Sequence, residues 1–156
     1  MNNKLLLREY FALDANNQEL LTEAEKVQAA NGTMFLTGKL QEAGTKNGNE
    51  RVYSRSILER EMLNFQKCIK ERRAVGELDH PEDSVINLRN TSHIVTEAWW
   101  DGNSVMGKIQ ILNTPSGQIL QNLVKDCVAL GISSRGLGTV SETNEAVQVN
   151  DDFQLI

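Results

Sequence analysis

The sequence predicts an α+β fold in which a curved, mainly antiparallel sheet or barrel is combined with two helices. Short strand-like runs separated by turn residues occur along the chain, and two amphipathic helical patterns interrupt them. The strand-like runs 93–100 and 104–112 flank Asp101-Gly102-Asn103, which is a strong hairpin signal. The 156 residues suffice for one hydrophobic core. We therefore expect a single domain over residues 1–156.

The first third of the chain predicts two strands around a polar segment. Residues 1–13 alternate weakly and predict an entering strand, whereas 14–31 predict a short helix or a mobile insertion. The boundaries over 1–31 are accordingly the least certain of the domain. Residues 33–41 form an apolar strand-like run, and the turn-rich stretch 44–49 that follows predicts a loop.

Two helices are predicted from apolar residues at helical spacing. Ser56 with Glu59 forms a capping-box pattern, so the first helix should begin at Ser56 and end near Arg72-Arg73. Its apolar face comprises Ile57, Leu58, Met62, Phe65, Cys68 and Ile69. The second helix should open at Pro115-Ser116-Gly117 and stop at Gly131, with an apolar face that includes Leu120 and Cys127. Residues 147–149 and 153–156 predict two final strands.

Composition excludes several classes of function. The chain carries 16 Lys+Arg against 21 Asp+Glu, a net charge of −5, which argues against direct nucleic-acid binding through phosphate contacts. No apolar run approaches the roughly 18 residues of a membrane helix, and no signal peptide is evident, so we expect an intracellular protein without a membrane partner. With two cysteines, two histidines and no CxxC pair, we expect neither a metal site nor another cofactor.

The stretch Gly131–Gly138 is the most unusual part of the sequence, because it places two serines and an arginine among three glycines after a helical pattern. Such a composition predicts a tight loop whose backbone N–H groups can point at one anion. The loop could hold a serine nucleophile beside an oxyanion site, or it could bind a phosphate group. A helix C-cap followed by a simple turn would look the same.

A serine nucleophile needs a base, and histidine is the economical choice near neutral pH. His80 lies in Gly76-Glu77-Leu78-Asp79-His80-Pro81, where the proline disfavours a helical backbone. His93 begins an apolar strand-like run and could point to either face. Local sequence does not choose between the two histidines or identify a third catalytic group.

The segments 76–81 (GELDHP) and 131–138 (GISSRGLG) together resemble the prohead core proteases of T-even-type tailed bacteriophages. Similarity extends to four further segments, which are 40–43, 46–53, 99–103 and 114–117. The resemblance therefore covers about residues 33–156, and the segment before it matches less clearly.

The resemblance implies a serine endopeptidase related in fold to the herpesvirus assemblins, which have a β-barrel surrounded by helices. Such enzymes act inside the immature capsid, assembled in the bacterial cytoplasm. Their substrates are the internal scaffold or core proteins and the capsid proteins, here including the major capsid protein, and they typically cut after glutamate. Self-association and self-cleavage are also implied.

The same resemblance assigns roles to residues of this chain. His80 would be the general base and Ser133 the nucleophile, favoured over Ser134 because a Gly-hydrophobic pair precedes the nucleophile in related proteases. Backbone N–H groups of Ser134, Arg135 and Gly136 would receive the oxyanion. The Arg135 side chain could shape the loop, carry charge to the oxyanion or an acidic substrate, or remain in solvent.

Two departures from the family pattern leave alternatives open. The herpesvirus relatives orient the base with a second histidine after the serine, and this chain has none beyond Ser133. Asp151 and Asp152 are the nearest acidic substitutes, while His93 could serve only by another route through the fold. Family members also continue past the strand at 153–156, so we expect either a truncated or processed form that lacks the C-terminal tail, or a barrel closed by fewer elements than in its relatives.

Two other functions remain compatible with the sequence. The chain could be a catalytically inactive capsid-core structural protein with the same fold. Alternatively, the glycine-rich stretch could serve an anion- or nucleotide-binding module, which would depend on Arg135.

Overall fold

A computed structural model describes residues 4–14, 22–78 and 85–156 of the chain. The strands are β1 Leu5–Asp14, β2 Phe35–Glu42, β3 Arg51–Val52, β4 Val75–Glu77, β5 Thr91–Asp101, β6 Ser104–Ile111, β7 Gly131–Gly138, β8 Val140–Glu142, β9 Val147–Val149 and β10 Gln154–Leu155. The helices are α1 Glu23–Ala30, α2 Arg55–Lys70 and α3 Pro115–Lys125. The fold is thus α+β, as the sequence predicts. His80 lies outside the described residues.

Seven strands form one sheet in the order β10-β7-β1-β2-β6-β5-β4, and every pairing in it is antiparallel. A second sheet has the order β3-β9-β8, in which β3 and β9 run parallel. The ladder between β1 and β7 runs from Leu5 opposite Gly138 to Ala12 opposite Gly131. The two ends of the chain are therefore joined along the full length of β7.

The hairpin predicted at 101–103 is confirmed. Asp101 at the end of β5 pairs with Ser104 at the start of β6, and Gly102 adopts a φ of 60° that a turn at this point requires. β2 pairs with β6 on the other side, from Phe35 opposite Gln110 to Glu42 opposite Ser104. These three strands form the centre of the large sheet.

Two hydrophobic clusters of described residues fill the interior. The first joins β1 and α2 with the segments that flank the small sheet, through Leu7, Ala43, Tyr53, Ile57, Leu58, Val149 and Phe153. The second lies between the centre of the large sheet and α3, through Leu36, Ala74, Val95, Ile109, Ile111 and Leu120. The apolar face predicted for the first helix is confirmed, since Ile57, Leu58 and Met62 are buried and Phe65 packs against the second cluster.

α3 begins at Pro115 as predicted, whereas the predicted cap of α2 and the predicted end of α3 are wrong. α2 begins after Ser54, whose hydroxyl accepts from the Ile57 N–H, so the cap is Ser54 and not Ser56. α3 ends at Lys125, well before Gly131, and no glycine stops it. Instead Cys127 adopts a φ of 60° and the Val128 N–H returns to the Leu123 carbonyl, which closes the helix as a left-handed cap. Cys127 is consequently exposed and does not belong to a buried face.

The stretch 131–138 is also not the predicted loop, because all eight residues form the strand β7. Its glycines lie where side chains from neighbouring elements approach the backbone. A Cβ at Gly131 would meet the Tyr10 ring at 2.2 Å, and a Cβ at Gly136 would meet the Phe153 ring at 2.2 Å. The glycines thus allow close packing against a strand instead of a sharp turn.

The described strands leave the large sheet open, since no ladder within 4–14, 22–78 and 85–156 joins β4 to β10 or β7. The sheet nevertheless curls strongly. An ion pair between Arg135 on β7 and Glu77 on β4 connects two strands that are separated by four others in the sheet order. Within the described part of the chain, no helix has the length and apolar character needed to cross a bilayer.

Candidate active site

The two serines lie on β7 beside β1. Ser133 is opposite Tyr10 and Ser134 is opposite Glu9 in an uninterrupted antiparallel register. Successive residues of a strand point to opposite faces. Only one of the two hydroxyls can therefore face any given side of the sheet.

Ser134 faces the polar interior. Its Oγ accepts a hydrogen bond of 3.2 Å from Nε2 of Gln41, a fully buried residue of β2. Glu9, which lies opposite Ser134, is also fully buried. The Ser134 hydroxyl is thus part of a hydrogen-bonded interior that begins at the β1–β7 ladder.

Glu9 is the centre of this interior network. Its carboxylate accepts from Asn47 Nδ2 at 2.9 Å, from Asn49 Nδ2 at 2.9 Å and from Arg51 Nη1 at 2.9 Å. It also accepts from the Tyr53 hydroxyl. Burial, together with the neighbouring Glu9 carboxylate, raises the pKa of Tyr53, so the phenol remains a proton donor. The network ties the turn-rich stretch 44–49 and β3 to the strand that pairs with the serines.

Ser133 shares the other face of β7 with Arg135. The described hydrogen bond of its Oγ is a long one, 3.5 Å to the Ser134 carbonyl. Arg135 donates from Nη2 to Oε2 of Glu77 at 2.8 Å, and the Glu77 side chain is only 1% exposed. Oε1 of Glu77 accepts from the Asn87 N–H at 2.8 Å. The face of β7 that carries Ser133 is therefore the face whose Arg135 contacts β4.

A cavity of about 320 Å³ adjoins both serines. Its polar lining comes from Tyr10, Gln41, Glu77, Ser92, His93, Ser133, Ser134 and Arg135. Most of the remaining wall is apolar and comes from β2, α2, α3 and β5, for example Leu40, Phe65, Leu123 and Val95. Leu155 and Ile156 at the end of the chain line it as well. An apolar cavity with a few convergent polar groups is the usual form of a binding site for an extended or small substrate.

His93 lies in this cavity wall, on β5 opposite Gly76 of β4. Its Nδ1 is 2.9 Å from the Ser92 hydroxyl. The imidazole packs directly on Gly76, where a Cβ would come within 2.1 Å of Nε2. Burial lowers the pKa of His93 to about 4, so the ring is neutral at physiological pH.

This histidine should make the protein sensitive to mild acid. Because its pKa is lower in the folded state than the value of about 6.5 in the unfolded chain, the unfolded state binds more protons between these values. The stabilisation is complete above pH 6.5 and is lost as the pH falls toward 4, by up to about 3 kcal/mol. Urea unfolding across this range should show the loss in the wild-type protein and a smaller one in His93→Gln. An equal loss in both proteins would contradict the assignment.

The two aspartates considered as third catalytic residues lie at a turn before β10. Oδ1 of Asp152 accepts from the Thr139 N–H at 2.9 Å, and this backbone hydrogen bond lowers the pKa of Asp152. The carbonyl of Asp151 accepts from Arg60 on α2. The residues that line the cavity include neither aspartate. His93 does line it, beside both serines.

The strand conformation of β7 determines where the backbone N–H groups of Ser134, Arg135 and Gly136, predicted to receive the oxyanion, can point. The Ile156 N–H donates to the Arg135 carbonyl at 2.8 Å, so the peptide groups of Arg135 point toward β10. Alternation in an antiparallel ladder then directs the peptide groups of Ser134 and Gly136 toward β1. The expected cluster of adjacent N–H groups that converge on one anion belongs to a loop conformation, and β7 does not have that conformation.

Three residues of this site were missed by the sequence reasoning, namely Glu9, Gln41 and Glu77. Glu77 lies in the same six-residue motif as His80, and Gln41 lies in one of the similar segments, so the motifs themselves were the available signal. Nothing local marks Glu9 as buried. Within the described residues, no group of three or more His, Cys, Asp or Glu side chains has the arrangement of a metal site.

Comparison with known proteins places the chain in a family. Residues 16–156 match the family model described as prohead core protein serine protease. The prohead core protein protease of Enterobacteria phage T4 is 30% identical over 127 residues, which cover 78% of this chain. This chain spans 59% of the length of that relative.

The fold is that of a solved structure, the bacteriophage T4 capsid assembly protease. The similarity has a TM-score of 0.81 and covers 99% of this chain and 94% of that one, at 24% sequence identity. The matching family model covers most of the residues from the first strand to the last. The chain therefore belongs to the family of prohead core protein serine proteases.

Proposed function

We propose that the protein is a serine endopeptidase of phage capsid assembly, with Ser133 as nucleophile and His80 as general base. One observation carries the choice of residues. Ser133 shares its face of β7 with Arg135, and Arg135 binds Glu77, which precedes His80 by three residues. The described residue Glu77 of the first motif thus meets Arg135 of the second motif on the face of β7 that carries Ser133.

The proposed reaction follows from these roles. His80 removes the proton from Ser133 Oγ as the oxygen attacks the scissile carbonyl, and the tetrahedral oxyanion collapses to an acyl-enzyme. The protonated His80 gives its proton to the leaving amine. Water, activated by the same imidazole, then releases the acyl group and restores the serine hydroxyl.

Ser134 has a different role in this proposal. Its hydroxyl accepts from Gln41 and faces the Glu9 network, so it belongs to the interior. Of the stretch Ser134, Arg135 and Gly136, only Arg135 is kept in this proposal for the oxyanion, because the peptide groups of the other two face β1. Within this stretch, the strand register makes Arg135 the residue whose peptide groups face the β10 edge. The candidates for the third catalytic group are His93, Asp151 and Asp152, of which His93 lines the cavity.

Membership of the family supports a proposal for the substrates. We propose that the protein cleaves scaffold or core proteins and the major capsid protein inside the prohead, after glutamate, in the bacterial cytoplasm. Self-association and self-cleavage belong to the same proposal, as does a fold relationship with the herpesvirus assemblins. The mainly apolar cavity wall suits an extended peptide that carries apolar side chains.

Mass spectrometry after incubation with a serine-directed phosphonate tests this assignment. We expect one adduct, present in wild type and in Ser134→Ala, and absent in Ser133→Ala and His80→Ala. Loss of the adduct in Ser134→Ala alone would move the nucleophile by one residue and to the other face of β7. Circular dichroism of every variant establishes that the labelled and unlabelled proteins are equally folded.

The alternative is a catalytically inactive capsid-core structural protein with the same fold. The long hydrogen bond from Ser133 Oγ to a backbone carbonyl is the observation that favours it. It predicts no adduct on either serine in a protein that is fully folded. In that case, incorporation of the chain into assembling capsid cores would be the activity to measure.

A further inference from the structure

The Glu77–Arg135 ion pair is deeply buried, with side-chain exposures of 1% and 10%. Removing two charges from water is costly, and a buried pair commonly stabilises a fold no better than apolar residues of similar volume would. Such a pair is instead expected to select one arrangement of the elements that it joins. Here it joins β7 to β4, and no backbone ladder among the described residues connects these two strands.

The Glu77 carboxylate uses both oxygens for this purpose. Oε2 accepts from Arg135 on the serine strand, and Oε1 accepts from the Asn87 N–H. One residue later, the Leu78 N–H donates to the Asn90 carbonyl at 2.9 Å. The Glu77 carboxylate therefore connects three parts of the chain. These are the end of β4, the segment that contains Asn87, and the strand β7 that carries Ser133.

The proposed base is close to Glu77 in the sequence. His80 follows it by three residues, which limits the separation of their Cα atoms to about 10 Å even in a fully extended chain. The position of Glu77 relative to β7 therefore restricts where the imidazole can lie relative to Ser133. Misplacement of a catalytic group by about 1 Å can cost on the order of 100-fold in rate.

We propose that Glu77 and Arg135 are a positioning pair, which sets the strand leading into His80 against the strand that carries Ser133. This inference rests on the proposed function. In this proposal the Arg135 guanidinium acts by binding Glu77 and not by contacting the substrate. Neither side chain exchanges a proton in the reaction.

Kinetics of peptide cleavage test the pair. Arg135→Met and Glu77→Leu should each lower kcat about 100-fold with little change in KM, because positioning affects the chemical step. The double variant should be no slower than either single variant, since both disrupt one interaction. It should also regain thermal stability, because no buried charge is left unpaired. Arg135→Lys keeps the positive charge but loses the planar set of donors of the guanidinium. Its kcat should therefore lie between those of wild type and Arg135→Met.

Lys108 supplies the matched control. This buried lysine of β6 binds Glu25 at 2.7 Å and Glu97 at 3.1 Å. Lys108→Met should lower the melting temperature as Arg135→Met does, while kcat stays within about 3-fold of wild type. If activity tracks melting temperature in all variants, or if the double variant recovers its rate, the positioning role is refuted. If Arg135→Met is impaired and Glu77→Leu is not, the arginine acts directly on substrate.

Amide hydrogen exchange separates this inference from the proposed function. In Arg135→Met, exchange at Leu78 and Asn87 should accelerate relative to Lys108→Met, because both N–H groups depend on the fixed position of Glu77. Unchanged exchange would contradict the pair as a link between the strands, whatever the activity. Wild-type protein that is folded but never labelled would instead overturn the proposed function, and with it the kinetic role of the pair.

Discussion

Replacing Ser133 by alanine should reduce peptide cleavage by about 10⁶-fold, the loss seen when the nucleophile of a serine protease is removed. Stability should change by no more than about 0.5 kcal/mol, because the described hydrogen bond of this hydroxyl is long and the side chain is only partly buried. Steady-state cleavage of a glutamate-containing peptide, combined with urea unfolding, measures both quantities.

Ser134→Ala is the matched comparison and should show the opposite behaviour. It removes the acceptor of the Gln41 amide, which is fully buried, so we expect a loss of about 1–3 kcal/mol in the free energy of unfolding. Cleavage below the unfolding transition should stay within about 10-fold of wild type, the equivalent of about 1.4 kcal/mol in the barrier. A Ser133→Ala protein that cleaves normally would contradict the assignment of the nucleophile.

Replacing Glu9 by leucine should be among the most destabilising single substitutions in the chain. The carboxylate is the shared acceptor for Asn47, Asn49, Arg51 and Tyr53, and its loss leaves the partly buried Arg51 guanidinium without this counter-ion. Removing one partner of a buried ion pair costs about 3–5 kcal/mol. Urea unfolding monitored by circular dichroism measures the change.

Two variants define the origin of this effect. Glu9→Gln keeps an acceptor oxygen of similar shape and should lose less than Glu9→Leu. Glu59→Leu removes a carboxylate that is 53% exposed and paired with Arg55, so it should change stability by about 1 kcal/mol or less. Equal losses for Glu9→Leu and Glu59→Leu would show that the network adds nothing to stability.

The sequence was sufficient to predict those elements whose conformation depends on residues close together in the chain. The turn Asp101-Gly102-Asn103 fixes β5 and β6 because a left-handed glycine is required within two residues of each strand end. The buried face of α2 followed from apolar spacing in the same way. Helix ends were less predictable, because Ser54 and Ser56 are both acceptable caps and only packing selects one.

The strand β7 could not be predicted from its own residues, since its three glycines disfavour a strand. It is a strand because β1, from the opposite end of the chain, pairs with all eight of its residues. The motifs did indicate both serines and the side chain of Arg135. They could not indicate that Arg135 meets Glu77, because that contact arises only when the sheet curls. Nor could they indicate that Glu9 lies opposite Ser134, because that requires β1 to pair with β7.

The pairing of β1 with β7 also sets the order of events during folding. β2 and β5 can each pair with β6 as soon as residue 111 has been synthesised, whereas the serine strand can pair with β1 only when the first and last parts of the chain meet. Closing so long a loop is among the slower steps available to a single domain. A nascent or partly folded chain therefore lacks the assembled site, and we expect the proposed proteolytic activity to arise only with completion of the fold.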